Sequence, residues 1–526
     1  MPSDGNPPGN DAGDCPDIVP LTEMVTARGL FVERAPLPAL ARSPRYRWLV
    51  VGTVCVGAFL GQLDASIAGL ILPTLEEVFG ASLSSVEWVA ISYLLTLAIL
   101  VVPFGRLADL VGRKTMYTTG FVVFIVGSAL CGASSSLGWL IFFRVFQAIG
   151  AALLQSNSVA IITAAVDRRS LGRAIGVQGA AQAVGLAVGP SVGGLLIGAL
   201  GWRWVFYIAV PFGLLGTLLG FAVLPQTRHR MERIAARERF DWLGALLFAP
   251  AVGLVMMALT FGNDWGWTSP WIIATLALAA ASLVGFGLVE RRADSPLVDF
   301  AVLRDRVFAT GIVAGLLSYA VLFGSLFLFP FYLERILGRT PGETGLLLSP
   351  VPIAIGVLAP ISGIVADKVG SRLPTVLGML VSTAALLVLA FLPAAGPAFL
   401  AIVLLAVGAG LGFFTPANNS AIMGSAPPHR LGVAGGILNM TRSLGTSLGV
   451  AATGLVLTAR LAAHAGHAVE GTLDVPLPAL VAAFRDALVF LAVVGVVAAI
   501  ISTTRGKRAE QPVGLAPELR GETTAV

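Results

Sequence analysis

The sequence predicts an all-α integral membrane protein with 14 transmembrane helices, arranged as two six-helix pseudo-repeat bundles plus two inserted helices. Three observations carry this fold class. The 526-residue chain is 56% hydrophobic and 12% charged, with a mean hydropathy of +0.86, whereas soluble domains average about 25% charged residues. Apolar stretches long enough to cross a bilayer recur from Trp48 to residue 503, and sequence echoes sit at nearly equal offsets in the two halves.

The composition also excludes function classes. The 61 glycines and 31 prolines are scattered through apolar runs, where lipid-embedded helices use them as packing devices. Cys15, Cys55 and Cys131 are widely spaced, two of them in apolar segments, so neither a disulfide framework nor a metal site is expected. The net charge of +5 falls in short loops between spans, which orients a chain in a membrane and points away from nucleic acid. Three lysines against 31 arginines is the usage of a GC-rich bacterial genome.

Taken in order, residues 1–47 are polar and rich in Pro, Gly and Asp, without the short apolar core and cleavage site of a removable signal. A retained, disordered cytoplasmic tail is expected there. A helix needs about 20 residues to cross a hydrocarbon core of about 30 Å. Spans are expected at 48–72, 84–104, 115–134, 137–164, 171–199 and 203–224, the first bundle (48–224), and at 241–261 and 270–289, two linker helices with basic loops (225–307). The second bundle (308–503) follows with 308–333, 343–366, 373–393, 397–422, 431–459 and 484–503, and residues 504–526 form a cytoplasmic tail.

Loop charge sets the orientation. Arg106, Arg113 and Lys114, then Arg168, Arg169 and Arg173, then Arg228, Arg230, Arg233, Arg237 and Arg239 alternate with loops carrying Glu76, Glu77 and Glu87, then Ser134, Ser135 and Ser136, then Arg203, then Asp264. The basic loops are expected in the cytoplasm, and an even span count places both termini there, in a multi-pass protein of the inner (plasma) membrane. The outer loop 460–483, with His464, His467, Glu470 and Asp474, reads as solvated filler and not as a metal site.

Two echoes argue for duplication. GRLADLVGRK at Gly105 to Lys114 is matched by GIVADKVGSR at Gly363 to Arg372, an offset of 258 that aligns Asp109 with Asp367 and Gly112 with Gly370. Both stretches are expected in a loop after an even-numbered span. Leu171 and Gly172 match Leu431 and Gly432, with Gly185 on Gly445 and Gly189 on Gly449, at an offset of 260. Duplicated membrane bundles place the working site at the interface of the halves, which is the architecture of a transporter.

GRLADLVGRK resembles the loop signature G-x-L-A-D-R-x-G-R-K of the major facilitator superfamily, departing at Leu110, where a basic residue is usual. The resemblance covers about 48–503 and is closest to the 14-span drug:proton antiporter branch. Asp109 ends one helix and precedes the next, so it can accept N–H bonds at a helix N-terminus and pair with Arg113. Gly105, Asp109, Gly112, Arg113 and Lys114 are therefore candidates for a latch that breaks and re-forms as the halves rock.

Within the fourth span, Arg144 to Gly150 is similar to the family's R-x-x-Q-G-x-G, with Ala148 replacing a glycine. An arginine inside a span costs about 3 kcal/mol or more unless it faces an acid or a wet cavity. In the fifth span Gly185, Gly189, Pro190, Gly193 and Gly194 resemble the antiporter motif G-x-x-x-G-P-x-x-G-G, which the family associates with export. Small residues four apart allow close helix approach, and Pro190 can bend the span. Ala209 stands where the following family stretch has asparagine.

The acid that matches Arg144 is Asp64, in QLDASIAGLILP, which resembles the branch's first-span signature L-D-x-T-I-V-N-x-A-L-P with Ser66 for threonine and Gly69 for asparagine. At 1.5 Å per residue, Asp64 lies roughly 12 Å and Arg144 roughly 10 Å from the same boundary. A carboxylate whose surroundings alternate between dry and wet takes up and releases a proton, so Asp64 and Arg144 are the candidates for proton coupling. Gln155, Asn157, Gln178, Gln182, Asn418, Asn419, Asn439 and Arg442 recur at mirrored depths in spans 4, 5, 12 and 13 and are candidates to line a cargo cavity.

What the resemblance implies is a proton-coupled antiporter that exports hydrophobic drugs or metabolites, cations included, by alternating access. It would be powered by the proton gradient without a cofactor, act on small-molecule cargo within the lipid bilayer, and work as a monomer. No G-x-x-x-x-G-K-[S/T] stretch is present for nucleotide drive. The alternatives are a dedicated exporter of one metabolite or antibiotic, and a proton symporter for uptake. An enzyme or receptor fits less well, because the embedded acids are few and dispersed.

Overall fold

The computed structural model describes residues 33, 35–68, 71–81, 83–227, 240–293, 296–298, 300–339, 341–392, 396–465 and 476–504. Gly69, the basic residues at 228–239, and His467, Glu470 and Asp474 lie outside them, as do the side chains of Arg168, Pro190 and Asp264. Among the described residues, 14 helices are long and apolar enough to cross a membrane. They run as α1 (Tyr46–Ala68), α2 (Leu83–Val111), α3 (Arg113–Gly132), α4 (Leu137–Ala165), α5 (Leu171–Leu200), α6 (Ala209–Val223) and α7 (Trp242–Trp265). There follow α8 (Pro270–Glu290), α9 (Arg306–Phe331), α10 (Pro350–Val369), α11 (Arg372–Phe391), α12 (Pro397–Ser425), α13 (Leu431–Ala465) and α14 (Leu477–Thr503).

Local chemistry starts several of these helices where the apolar runs begin. Ser136, Asp241 and Asp305 each accept a backbone N–H from three residues on, at the N-termini of α4, α7 and α9, satisfying donors the helix leaves orphaned. The first span is shorter than expected: α1 stops at Ala68, and a separate helix, Leu72–Phe79, carries the chain onward. Pro73 stands in the first turn of that helix, where its missing N–H costs nothing.

A second difference concerns GRLADLVGRK and GIVADKVGSR, expected in loops. Helix α2 continues through Gly105 to Val111, and α10 through Gly363 to Val369. A single residue, Gly112 with φ +117°, turns the chain from α2 into α3, and Gly370 with φ +86° ends α10. The left-handed backbone required at these turns favours glycine.

The packing repeats as the duplication predicts. In the first bundle α1 lies on α5 and α6, α2 on α4, and α3 on α4 and α6; in the second, α9 lies on α13 and α14, α10 on α12, and α11 on α12 and α14. The halves meet through equivalent pairs, α2 with α13 and α10 with α5, then α4 with α13 and α12 with α5. Inserted α7 and α8 pack on each other, and α7 also touches α2 and α13, so it rests on both halves at one seam.

Candidate functional site

Asp64 on α1 and Arg144 on α4 form a buried ion pair. Arg144 Nη1 donates to both carboxylate oxygens, at 3.1 and 2.9 Å, and to Gln147 Oε1 at 2.6 Å, while Nε donates to the carbonyl of Val89 at 3.1 Å. Gln147, one turn beyond Arg144 on the same face of α4, donates through Nε2 to Asp64 Oδ1 at 2.9 Å and to Ser128 Oγ on α3 at 2.8 Å. The guanidinium lies 4.3 Å from the ring centroid of Tyr93 on α2 and 5.7 Å from that of Phe206. Arg144 is 1% and Asp64 8% exposed, so each charge stands out of water and is tolerated because its partner and these hydrogen bonds replace hydration.

The glycine-rich stretch of α5 packs on the helix that carries Asp64. A Cβ at Gly185 would lie 2.6 Å from the carbonyl oxygen of Phe59, and one at Gly189 would run into the side chain of Ser66. Ser66 Oγ also donates to the carbonyl of Gly185 at 3.3 Å. Gly193 is buried and Gly194 exposed. Helix α5 runs unbroken through Pro190 to Leu200.

The cargo-lining candidates separate into two groups. Gln155 and Gln182 line one small cavity with Arg442, Gln62 and Ser158, where α1, α4, α5 and α13 meet. Arg442 Nη2 donates to Gln155 Oε1, and Asn439 Nδ2 donates to the carbonyl of Gln155 at 2.9 Å, which ties α13 to α4 across the half-interface. Tyr319 on α9 lies, like Tyr93, within electrostatic reach of Arg442.

Asn157, Asn418 and Gln178 stand apart from that cavity. Asn157 is fully buried and spends its amide on the carbonyl of Leu153 at 2.8 Å and on Ser156 Oγ at 3.1 Å. Asn418 donates to the carbonyl of Gly311 at 3.0 Å, joining α12 to α9. Gln178 is 3% exposed.

The latch residues reach the opposite half. Asp109 accepts the backbone N–H of Gly432 at 2.9 Å and of Val433 at 3.1 Å, so it caps α13. Arg113 grips the same carboxylate through Nε at 3.0 Å and Nη2 at 2.8 Å, and Nη2 also reaches the carbonyl of Pro428 at 3.0 Å. Asp367 mirrors this arrangement, accepting the N–H of Gly172 at 2.7 Å and of Arg173 at 2.9 Å at the start of α5. Gly105 and Gly172 make room for it: a Cβ on either would strike the backbone of Gly432 or Gly363. The halves are thus closed at the basic-loop end.

Sequence reasoning gave Tyr93, Ser128, Tyr319 and Asp367 no part in the site, and quoted Gln147 only as a motif letter. The signal for Gln147 was its i+3 spacing from Arg144, which places both on one helix face. Lys114, expected in the latch, donates from Nζ to the carbonyls of Phe221 at 3.1 Å and Leu224 at 2.7 Å, closing the C-terminus of α6.

Comparison with known proteins identifies this arrangement. Residues 54–450 match the Major Facilitator Superfamily. The chain belongs to that superfamily. It is 33% identical to the riboflavin transporter RibZ of Clostridioides difficile, over 77% of this chain and 87% of that protein. It is likewise 33% identical to the tetracenomycin C resistance and export protein of Streptomyces glaucescens, over 82% of this chain and 79% of that one. The fold resembles the crystal structure of the human organic anion transporter MFSD10 (TETRAN), with a TM-score of 0.63 and 14% identity over 88% of this chain and all of that one. The chain is therefore a multi-pass major facilitator superfamily transporter, a family that moves small molecules across membranes.

Proposed function

We propose that this transporter exports small apolar or amphipathic organic compounds in exchange for protons, by alternating access between its halves, and so serves multidrug efflux and resistance. The observation that carries the reading is the Asp64 carboxylate, buried, held by Arg144 and Gln147, and one turn along α1 from cavity-lining Gly61. A change of hydration or of Arg144 contact as the halves rock alters the proton affinity of such a carboxylate. Each net charge moved across 100 mV contributes about 2.3 kcal/mol.

The reciprocal caps of Asp109 and Asp367 supply a closed state that can open. We place the basic-loop end and both termini in the cytoplasm, in the plasma membrane, with the monomer as working unit. The name of the tetracenomycin C relative supports export. That of RibZ favours the second reading, a carrier dedicated to one metabolite.

The test is transport by the purified protein in proteoliposomes under an imposed pH gradient, following riboflavin and internal pH together. Proton flux against cargo flux, lost in Asp64→Asn, supports exchange. Unchanged cargo-driven proton movement in Asp64→Asn would sink the assignment, and protons moving with cargo would establish symport.

A further inference from the structure

Arg442 sits where α13 faces the first bundle. Its hydrogen bond is to the neutral Gln155, and among the described residues no carboxylate pairs with it. The groups within its electrostatic reach are the phenols of Tyr93 and Tyr319. Tyr93, whose ring lies 4.3 Å from the Arg144 guanidinium, is 1% exposed and stands outside the cavity lining. A guanidinium carries five N–H donors and accepts nothing. The cavity therefore presents spare donors from Arg442, with the amides of Gln155 and Gln182 beside it.

The charge balance is one-sided. Asp64 is neutralised by Arg144, so Arg442 leaves the site with a net positive charge in a medium that screens poorly. A permanent cation entering it meets repulsion and finds no carboxylate. An anion would be attracted, but a proton on Asp64 and an anion beside Arg442 each strengthen the other's binding through the field they share. Mutual strengthening yields cotransport, whereas exchange needs proton and cargo to compete.

We infer that the cargo of this transporter is uncharged and rich in hydrogen-bond acceptors, its carbonyl or ether oxygens received by Arg442 and the side-chain amides of Gln155 and Gln182. The exclusion of cations stands on Arg442 alone. The exclusion of anions rests on the proton-exchange reading given above.

The experiment measures binding to the full-length protein in lipid nanodiscs, with proton release read by a soluble pH dye. The probes are 1,8-dihydroxyanthraquinone (uncharged, acceptor-rich), tetraphenylphosphonium (a permanent cation) and anthraquinone-2-sulfonate (an anion). The uncharged probe is expected to bind and release a proton, with the cation at least about tenfold weaker. Arg442→Gln is expected to weaken the uncharged probe about tenfold, the scale of a hydrogen bond to a charged group, and Arg442→Glu to admit the cation. Gln182→Leu removes a cavity-lining amide and is expected to lose affinity with little change in melting temperature.

Equal binding of tetraphenylphosphonium by the unaltered protein, or an uncharged-probe affinity indifferent to Arg442→Gln and Gln182→Leu, overturns the inference. Sulfonate binding that releases a proton overturns the exclusion of anions. Sulfonate binding that takes up a proton, with the cation still refused, overturns proton exchange and leaves the role of Arg442 standing.

Discussion

Asp109 Oδ1 lies 2.9 Å from the backbone nitrogen of Gly432, so the last turn of a helix in one half caps the first turn of a helix in the other. Asp367 does the same for Gly172 in the reverse sense. At the place equivalent to Arg113, which braces Asp109, stands Ser371.

From this follows the prediction that Asp109→Asn and Asp367→Asn both open the basic-loop end. Each substitution removes a charge and one acceptor from a pair of charge-assisted bonds, about 1.5–3 kcal/mol per bond. Spin labels at Arg169 and Arg372, exposed residues of opposite halves at that end, should show a roughly tenfold or larger gain in the long-distance population. The double variant should exceed either single one. Unchanged label distances in all three would show that the caps do not hold this state.

The Asp64–Arg144 pair makes a prediction about stability as well as transport. Removing one partner of a buried pair strands the other charge, at a cost of about 3–5 kcal/mol. Arg144→Leu should lower the melting temperature more than the double variant Asp64→Asn/Arg144→Leu, in which neither charge remains. Gln147→Leu should lower it less, because Arg144 Nη1 still bridges both oxygens of Asp64. Thermal unfolding of the four proteins in one detergent checks the ranking, and a double variant less stable than Arg144→Leu refutes it.

How much of this was legible in the sequence depends on which partner an interaction uses. Asp64 and Arg144 could be matched because ionised side chains in apolar spans are few and each needs a counter-charge. The fourteen spans and their duplication were legible for a similar reason, since bilayer thickness imposes a length and duplicated motifs keep their spacing. The target of Asp109 was not legible: its partners are backbone N–H groups, which nearly every residue has. Nor was the split among the amides, because Asn157 can spend its side chain on the carbonyl four residues back, and no residue letter records that choice. Gly112 read as a motif letter, whereas its φ of +117° and the neighbouring Glu33 carboxylate together explain why it is glycine.

Two glycines of α5 predict opposite outcomes for the same kind of substitution. A methyl group at Gly189 meets the side chain of Ser66, while one at Gly185 meets the backbone oxygen of Phe59. Overpacking of this kind costs about 1–3 kcal/mol. Transport lost in Gly189→Ala should return in Gly189→Ala/Ser66→Gly, because the obstructing group is gone. Gly185→Ala should resist rescue by trimming side chains on α1. Initial rates at matched protein content in proteoliposomes check both, and failure of the Ser66→Gly rescue would exclude simple steric contact as the reason for Gly189.

Glu33 predicts that the chain ahead of α1 takes part in the latch. Helix α3 has no capping side chain at Gly112; its first N–H groups are instead met by Thr227 and Glu33. Thr227 Oγ1 accepts from Arg113 at 2.9 Å and from Lys114 at 3.4 Å. One oxygen of the Glu33 carboxylate accepts from Thr115 N at 3.4 Å, and the other from Thr227 N at 2.7 Å. A carboxylate at the positive end of a helix is favoured, and here it fixes the turn from which Arg113 reaches back to Asp109. Glu33→Ala should therefore loosen the grip on Asp109 and raise the population open at the basic-loop end by roughly threefold, less than Asp109→Asn, since only part of each bond differs between the two states. Glu33→Gln, which keeps two acceptor lone pairs on its oxygen, should fall between Glu33→Ala and the unaltered protein. The Arg169 and Arg372 label pair reads this directly. A fall in melting temperature with label distances unchanged would assign Glu33 to fold stability alone and remove it from the latch.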